Sequence, residues 1–420
     1  MRLGERFSLL APLGVRAFRF QWPADLLTAC AFEMETIILG WWVLAETGSV
    51  LLLTVYGALH FFGTLAAPML GVVGDRIGPR RLLIIMRSFY VLFALMLTAM
   101  ALTGRMAVLP VLLIAAVMAT VRASDISVRA ALVADMLPSS MLTSGLGLSR
   151  TTGDAAKVVG ALAGASVFAY FGIERAYMMI VGFYVAGVLL TLGSAVADRA
   201  RVAGDGRRKG ERRSPWSELM EGLVYVWRTP HLNAGMWLAV LVNFTAFPLS
   251  NGLMPYVARD IYKVDKQGLG LLVASFATGA FIGSLTVGAQ ATRLQLGRMM
   301  VIASVLWHVV LLAFAQTTTA FGGIVTMLMA GFMQSLSMVT LAAMLLRTSD
   351  PNLRGRVMGV RMLATYSLPV GLLLLGALIG VLGFPPTASL SAITGIVVSL
   401  VIAMWWRQSI WVPEAPANRR

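Results

Sequence analysis

A chain of 420 residues that is 58% hydrophobic and only 13% charged lacks the polar surface of an ordinary soluble globule. Its net charge of +15 would suit a nucleic-acid partner, but the basic residues sit in short segments between long apolar runs, where they orient membrane spans instead. Those runs lack the period-2 alternation of a barrel, so helices are what remains to satisfy the backbone in lipid.

In chain order, stretches long enough to cross a hydrocarbon core about 30 Å thick run over 17–45, 49–71, 82–103, 107–134, 143–171 and 175–197. A second set follows at 231–258, 268–291, 298–316, 320–346, 356–382 and 387–408. The expected fold is an all-α membrane protein of 12 transmembrane helices in two six-helix bundles. Basic residues outside the spans gather on one side, which places both termini and the middle of the chain in the cytoplasm. The first apolar run is too long for a signal-peptide core, so no cleaved leader is expected. Cys30 is the single cysteine, which excludes an intramolecular disulfide.

Between spans 2 and 3 the chain reads Gly71-Val72-Val73-Gly74-Asp75-Arg76-Ile77-Gly78-Pro79-Arg80-Arg81. The glycines allow a tight reversal between closely packed helices, and the arginines hold it at the cytoplasmic face. Past span 6, residues 198–214 carry Arg199, Arg201, Arg207, Arg208, Lys209, Arg212 and Arg213, the composition of a solvated linker. Ser214-Pro215 then starts a helix, and Trp216, Leu219, Leu223 and Val226 recur at helical spacing opposite Glu218 and Glu221. That pattern predicts a short amphipathic helix on the inner membrane surface, ending before Thr229-Pro230. The expected organisation is a bundle over 1–197, a linker over 198–230 and a second bundle over 231–420.

The halves echo one another. Gly71 and Arg76 recur as Gly288 and Arg293, the pair Gly160-x-x-x-Gly164 as Gly376-x-x-x-Gly380, and Pro138 as Pro351, all at nearly one offset. Such a parallel repeat points to two homologous bundles. Thr292 replaces the acid of Asp75, so the first-half loop is the complete copy.

The Gly-x-x-x-Asp-Arg-x-Gly-x-Arg-Arg run resembles the loop 2–3 signature of the major facilitator superfamily of secondary transporters. Asp135-Met136-Leu137-Pro138, Arg228-Thr229-Pro230, Thr47-Gly48-Ser49 and the segment Asp350 to Gly359 are similar to junctions in the bacterial branch containing macrolide-efflux and enterobactin-export proteins. The resemblance implies a central cavity lined by spans 1, 4, 7 and 10, and export of a small amphipathic molecule by proton antiport. It also implies a conformational gate at Gly71, Asp75, Arg76, Gly78, Arg80 and Arg81, with Arg80 or Arg81 reaching Asp135 at the end of span 4. The chain departs from antiporter patterns in span 5, where Ala161 rather than Pro follows Gly160.

Ionisable groups inside spans are costly and mark function or internal pairing. Span 1 holds Asp25, Glu33 and Glu35. Glu33 and Glu35 lie about 200° apart around a helix, so they face different neighbours. Either can serve proton coupling or a structural hydrogen bond. Arg122 and Asp125 in span 4 share a face by i, i+3 spacing, open to a cavity role or to a local pair. Arg150, Asp154 and Lys157 share a face of span 5, as a substrate contact or a self-contained ion network. His308 reads as lipid-adjacent packing or a hydrogen bond, and the three histidines are too scattered for a metal site.

No loop is long enough to build a catalytic site, and no nucleotide-cradling loop or nucleophile–base constellation is present, so neither an enzyme nor direct use of ATP is expected. The expected partners are a small-molecule substrate, protons and the lipid bilayer, without cofactor or nucleic acid, in a monomer of the bacterial inner membrane. An importer or lysolipid flippase of the same fold, or a membrane sensor, are the competing readings.

Overall fold

The computed structural model describes residues 11–62, 77–194, 215–290 and 295–411, and every regular element among them is a helix. Span 1 is Arg16–Thr47, stopped by Gly48 at φ 60°, whose N–H returns to the Leu44 carbonyl. Span 2 begins at Val50 and is described as far as Phe62. Span 3 is Pro79–Leu102, entered through Gly78 at φ 89° with Pro79 in the first helical position.

Span 4 is divided, as Val108–Arg122 and Asp125–Met136. Spans 5 and 6 are two helices within Ser139–Gly193, separated by a kink at Gly172, where φ is 80°. Glycine is needed at that turn because L side chains rarely adopt the left-handed region. The linker helix Pro215–Arg228 leads into span 7, Pro230–Phe247, which continues in wider π turns over Pro248–Gly252 and Val257–Ile261. Spans 8 to 10 are Lys266–Gln290, Leu296–Gln316 and Ala320–Thr348. Span 11 is again divided, Arg354–Ala364 and Ser367–Leu382, and span 12 is Phe384–Trp405.

Among the described residues, ten helices are long and apolar enough to cross a membrane. One of them is the bent double span of helices 5 and 6, and Val50–Phe61 adds a shorter apolar helix, which gives twelve spans. Large apolar side chains such as Phe89, Leu109, Phe321 and Val381 are exposed, as lipid-facing surfaces require.

Two compact units divide the chain. The first holds spans 1 and 3 to 6 together with Asp265–Gly270 at the start of span 8. The second holds the linker helix, span 7, the rest of span 8 and spans 9 to 12, together with Ser49–Ala58 from span 2.

Within each unit, glycine lets span 5 or its counterpart span 11 approach the first helix of the bundle. A Cβ on Gly164 would lie 2.7 Å from Met34 Cα, and one on Gly160 2.9 Å from the Cys30 carbonyl oxygen. In the second unit Gly371 does this, with its Cβ position 2.2 Å from the Phe244 carbonyl oxygen. That carbonyl stands four residues before Pro248, which has no N–H to bond it. A glycine from span 11 therefore covers the one helical acceptor that Pro248 leaves open. The second-half pair expected to match Gly160 and Gly164 behaves differently: Gly376 faces Thr54, and Gly380 has nothing within 4 Å.

Candidate transport site

Span 1 carries three acids past three different neighbours in the first unit. Asp25 is deeply buried and forms an ion pair with Arg87 of span 3, both side chains being almost wholly inaccessible. The Gln21 amide donates to Asp25 Oδ1 at 2.7 Å. Arg87 also donates to the Thr191 hydroxyl and, at 3.3 Å, to the Gly187 carbonyl of span 6. Spans 1, 3 and 6 are thus joined around one charge pair.

About two turns further along, Glu33 and Glu35 take opposite sides of span 1. Glu33 is partly accessible and lies against Gly160 of span 5, within electrostatic reach of Arg122 and Lys157. Glu35 is 4% exposed and accepts a hydrogen bond from the Tyr184 hydroxyl of span 6 at 3.0 Å. Its other carboxyl oxygen, Oε1, is buried without a hydrogen-bond partner. The Tyr184 ring packs on Tyr90 of span 3, centroids 5.5 Å apart. Glu35 is therefore held inside the bundle, while Glu33 sits among cations on the accessible side.

Span 4 carries charges on either side of its break. The helix is interrupted between Arg122 and Asp125 by Ala123 and Ser124, both of which keep right-handed helical dihedrals, so this is a local distortion and not a change of direction. The Arg122 guanidinium lies over the Phe32 ring of span 1. Asp125 pairs with Arg129, one turn on, at 3.8 Å, and its Oδ1 is buried without a hydrogen-bond partner. Arg122 and Asp125 form no direct ion pair but stay within electrostatic reach, and each has a further contact, Phe32 of span 1 for the cation and Arg129 for the acid. In span 5 the expected trio reduces to Asp154 with Lys157 at 3.4 Å, and Arg150 is exposed.

Gly71, Asp75 and Arg76 of the signature loop lie outside the described residues. Gly78 makes the positive-φ entry to span 3. Arg80 donates to the Leu192 carbonyl at 2.5 Å, at the C-terminal end of span 6, rather than to Asp135. A cation suits that end because the last carbonyls of a helix lack partners and carry partial negative charge. Arg81 and Asp135 are both exposed.

His308 is fully buried rather than lipid-adjacent. Its ring nitrogens meet the Thr245 hydroxyl of span 7 and the Ser304 carbonyl, each at 2.8 Å. Ser391 of span 12 donates to the Thr245 carbonyl at 3.0 Å. Spans 7, 9 and 12 are joined here as spans 1, 3 and 6 are joined in the first unit, with neutral groups in place of the ions. The sequence reading passed over Arg87, although a lone arginine in the run from Leu82 to Leu97 is itself a signal that an acid faces it.

Twelve spans in two repeated bundles, with charge confined to a few intramembrane clusters, define a secondary-transporter fold. The sequence model of the Major Facilitator Superfamily matches residues 22–255 and 236–420, and the chain belongs to that superfamily. No curated protein matches it in sequence. Among solved structures it is similar to the nucleoside transporter NupG, with a TM-score of 0.70, 13% identity, and coverage of 93% of this chain and 99% of that one. A bacterial homolog of the human lysosomal transporter Spinster, inward-facing and unoccupied, gives a TM-score of 0.72 at 11% identity over 100% of both chains. An auto-inhibited POT family peptide transporter gives 0.73 at 12% identity over 96% and 99%. At such identities these likenesses speak for the fold, and the chain is a transporter rather than an enzyme by family.

Proposed function

We propose that the protein exports a small hydrophobic or amphipathic compound across the bacterial inner membrane by proton antiport, as a monomer with both termini in the cytoplasm. The resemblance of its cytoplasmic junctions to the macrolide-efflux and enterobactin-export branch supports the direction and the substrate class. The observation that carries proton coupling is the contrast within span 1: Glu33 is only partly buried and lies within electrostatic reach of Arg122 and Lys157, whereas Glu35 is enclosed and bonded to Tyr184.

A coupling carboxylate must take up and release a proton as its surroundings change. Glu33 meets that need, with Arg122 able to compensate its charge when substrate and proton exchange places. Glu35 acts as a support that fixes the rotation of span 1. Asp125 and Asp154 each have a cation on their own helix and serve as secondary members of the site.

Inverted and right-side-out vesicles with an imposed proton gradient test the reading. Accumulation in inverted vesicles means export, and accumulation only in right-side-out vesicles means import. Glu33→Gln is expected to abolish gradient dependence while substrate still binds, because Gln keeps the shape but cannot titrate. Glu35→Gln is expected to keep gradient dependence at a reduced rate. Unchanged proton exchange in the double variant overturns the assignment to span 1.

A further inference from the structure

We propose that the linker helix Pro215–Arg228 docks on the bilayer surface through anionic phospholipid headgroups, using a face other than the one that packs on the protein. The proposal does not depend on the direction or coupling of transport. The inner face of the helix is already occupied. Val226 is buried, and Leu219 and Tyr225 pack with it against a core that includes Val357, Val360 and Ala364 at the start of span 11. A Cβ on Gly222 would lie 3.0 Å from Arg356 Cβ, so helix and span touch closely. Glu221 pairs with Arg356 at 2.7 Å, and the Tyr225 hydroxyl accepts the Asp350 N–H at 3.2 Å.

The outer face should then be polar if it met only water. Instead Met220, Val224 and Trp227 recur at i, i+4 and i+7 and are 43%, 43% and 65% exposed, with Leu223 beside them at 38%. The pattern read from the sequence assigned Leu219 and Val226 to the membrane side; both belong to the protein, and a second apolar stripe is left over.

Position and charge choose its occupant. Only Thr229 separates the helix from Pro230, the first residue of span 7, and its inner face lies on the entry of span 11. The stripe is therefore at the level where spans begin, which is the interface of the bilayer. Arg228 is exposed next to Trp227, Arg354 is exposed at the start of span 11, and the sequence before the helix is rich in arginine. An apolar stripe flanked by cations suits anionic headgroups over buried acyl carbons. The anchored helix holds Arg354–Ala364, the piece of span 11 that a break at Thr365 and Tyr366 separates from Ser367–Leu382.

The full-length protein with Cys30→Ala, carrying one nitroxide in turn at Met220→Cys, Val224→Cys or Trp227→Cys, tests this in vesicles of phosphatidylethanolamine and phosphatidylglycerol. All three labels should be more accessible to oxygen than to a water-soluble nickel complex, at a depth just below the phosphates. Replacing Arg228 by Gln should raise nickel accessibility by up to about five-fold, the weight of one basic residue at an anionic surface, and replacing phosphatidylglycerol by phosphatidylcholine should raise it by at least as much, because it removes the attraction for all the flanking cations. Labels freely accessible to nickel, labels shielded from both reagents as by covering protein, or accessibility indifferent to the anionic lipid would each overturn the proposal.

Discussion

Replacing Arg87 by Met should destabilise the protein more than any loss of a surface charge, and a second replacement should restore it. Arg87 is 1% exposed and Asp25 3%, so neither charge has water to fall back on. In Arg87→Met the Asp25 carboxylate keeps only the Gln21 amide, at 2.7 Å, and span 6 loses both of its bonds to the guanidinium. Removing one partner of a buried pair costs about 3–5 kcal/mol, because the remaining charge stays buried without compensation. Replacing both partners by apolar groups of similar volume is often close to neutral, so Asp25→Leu with Arg87→Met should recover most of that loss. The assay is the thermal midpoint of monodisperse protein in detergent at a fixed heating rate, since unfolding of such proteins is commonly irreversible. A loss of about 3–6 °C in each single variant, and a double variant well short of the sum, is the expected cycle. Singles within a degree of the parent, or strictly additive losses, would refute the reasoning that the pair is buried and coupled.

The glycine contacts give a second test: Gly371→Ala should cost at least about 1–3 kcal/mol, because its Cβ meets backbone rather than a flexible side chain. Gly380→Ala, with nothing within 4 Å, should stay within about 0.5 kcal/mol in the same melting assay. Asp75→Asn should lower transport in vesicles without lowering membrane abundance, if the signature loop works as its resemblance implies. Normal transport by a well-expressed Asp75→Asn speaks against that role. Cutting or lengthening the chain within 203–212 should leave transport intact, because each bundle keeps its own core. Co-expressed halves that never associate contradict it.

The spans were legible because lipid imposes a simple rule, about 20 apolar residues with every backbone group bonded internally. Their interruptions were less so. The break between Arg122 and Asp125 has no proline or glycine to announce it, and periodicity alone ran straight through it. In span 11, by contrast, Pro369 marks the break at Thr365 and Tyr366, because it has no N–H for the Thr365 carbonyl four residues before it. Pro248 did announce the change of winding in span 7, yet only the packing shows that Gly371 answers it. For the candidate site, the opposite facing of Glu33 and Glu35 followed from helical geometry, whereas the partners of span 1 did not: Tyr184, Arg122 and Arg87 come from spans far away in the chain. Arg80 shows the limit of reasoning by family motif, since its place in the run was readable but its acceptor, the Leu192 carbonyl, was not.

The repeat also explains why the ionisable machinery is lopsided. Both units tie the first, third and sixth helices of a bundle together, one through Asp25, Arg87 and Thr191, the other through Thr245, His308 and Ser391. Among the described residues of spans 7 to 12 the one acid is Asp260, in the last π turn that continues span 7. His308 has both ring nitrogens occupied by internal partners, and Gly395 packs so closely on the ring that a Cβ there would lie 1.9 Å from it. A ring so enclosed has no space for substrate or water and cannot exchange protons without opening its bundle. The second bundle is thus built to hold its shape with neutral groups, which make no charge to desolvate when their surroundings change. For the proton coupling proposed above, the candidate acids in the first bundle that are partly accessible are Glu33 and Asp154, the latter paired with Lys157 on its own helix.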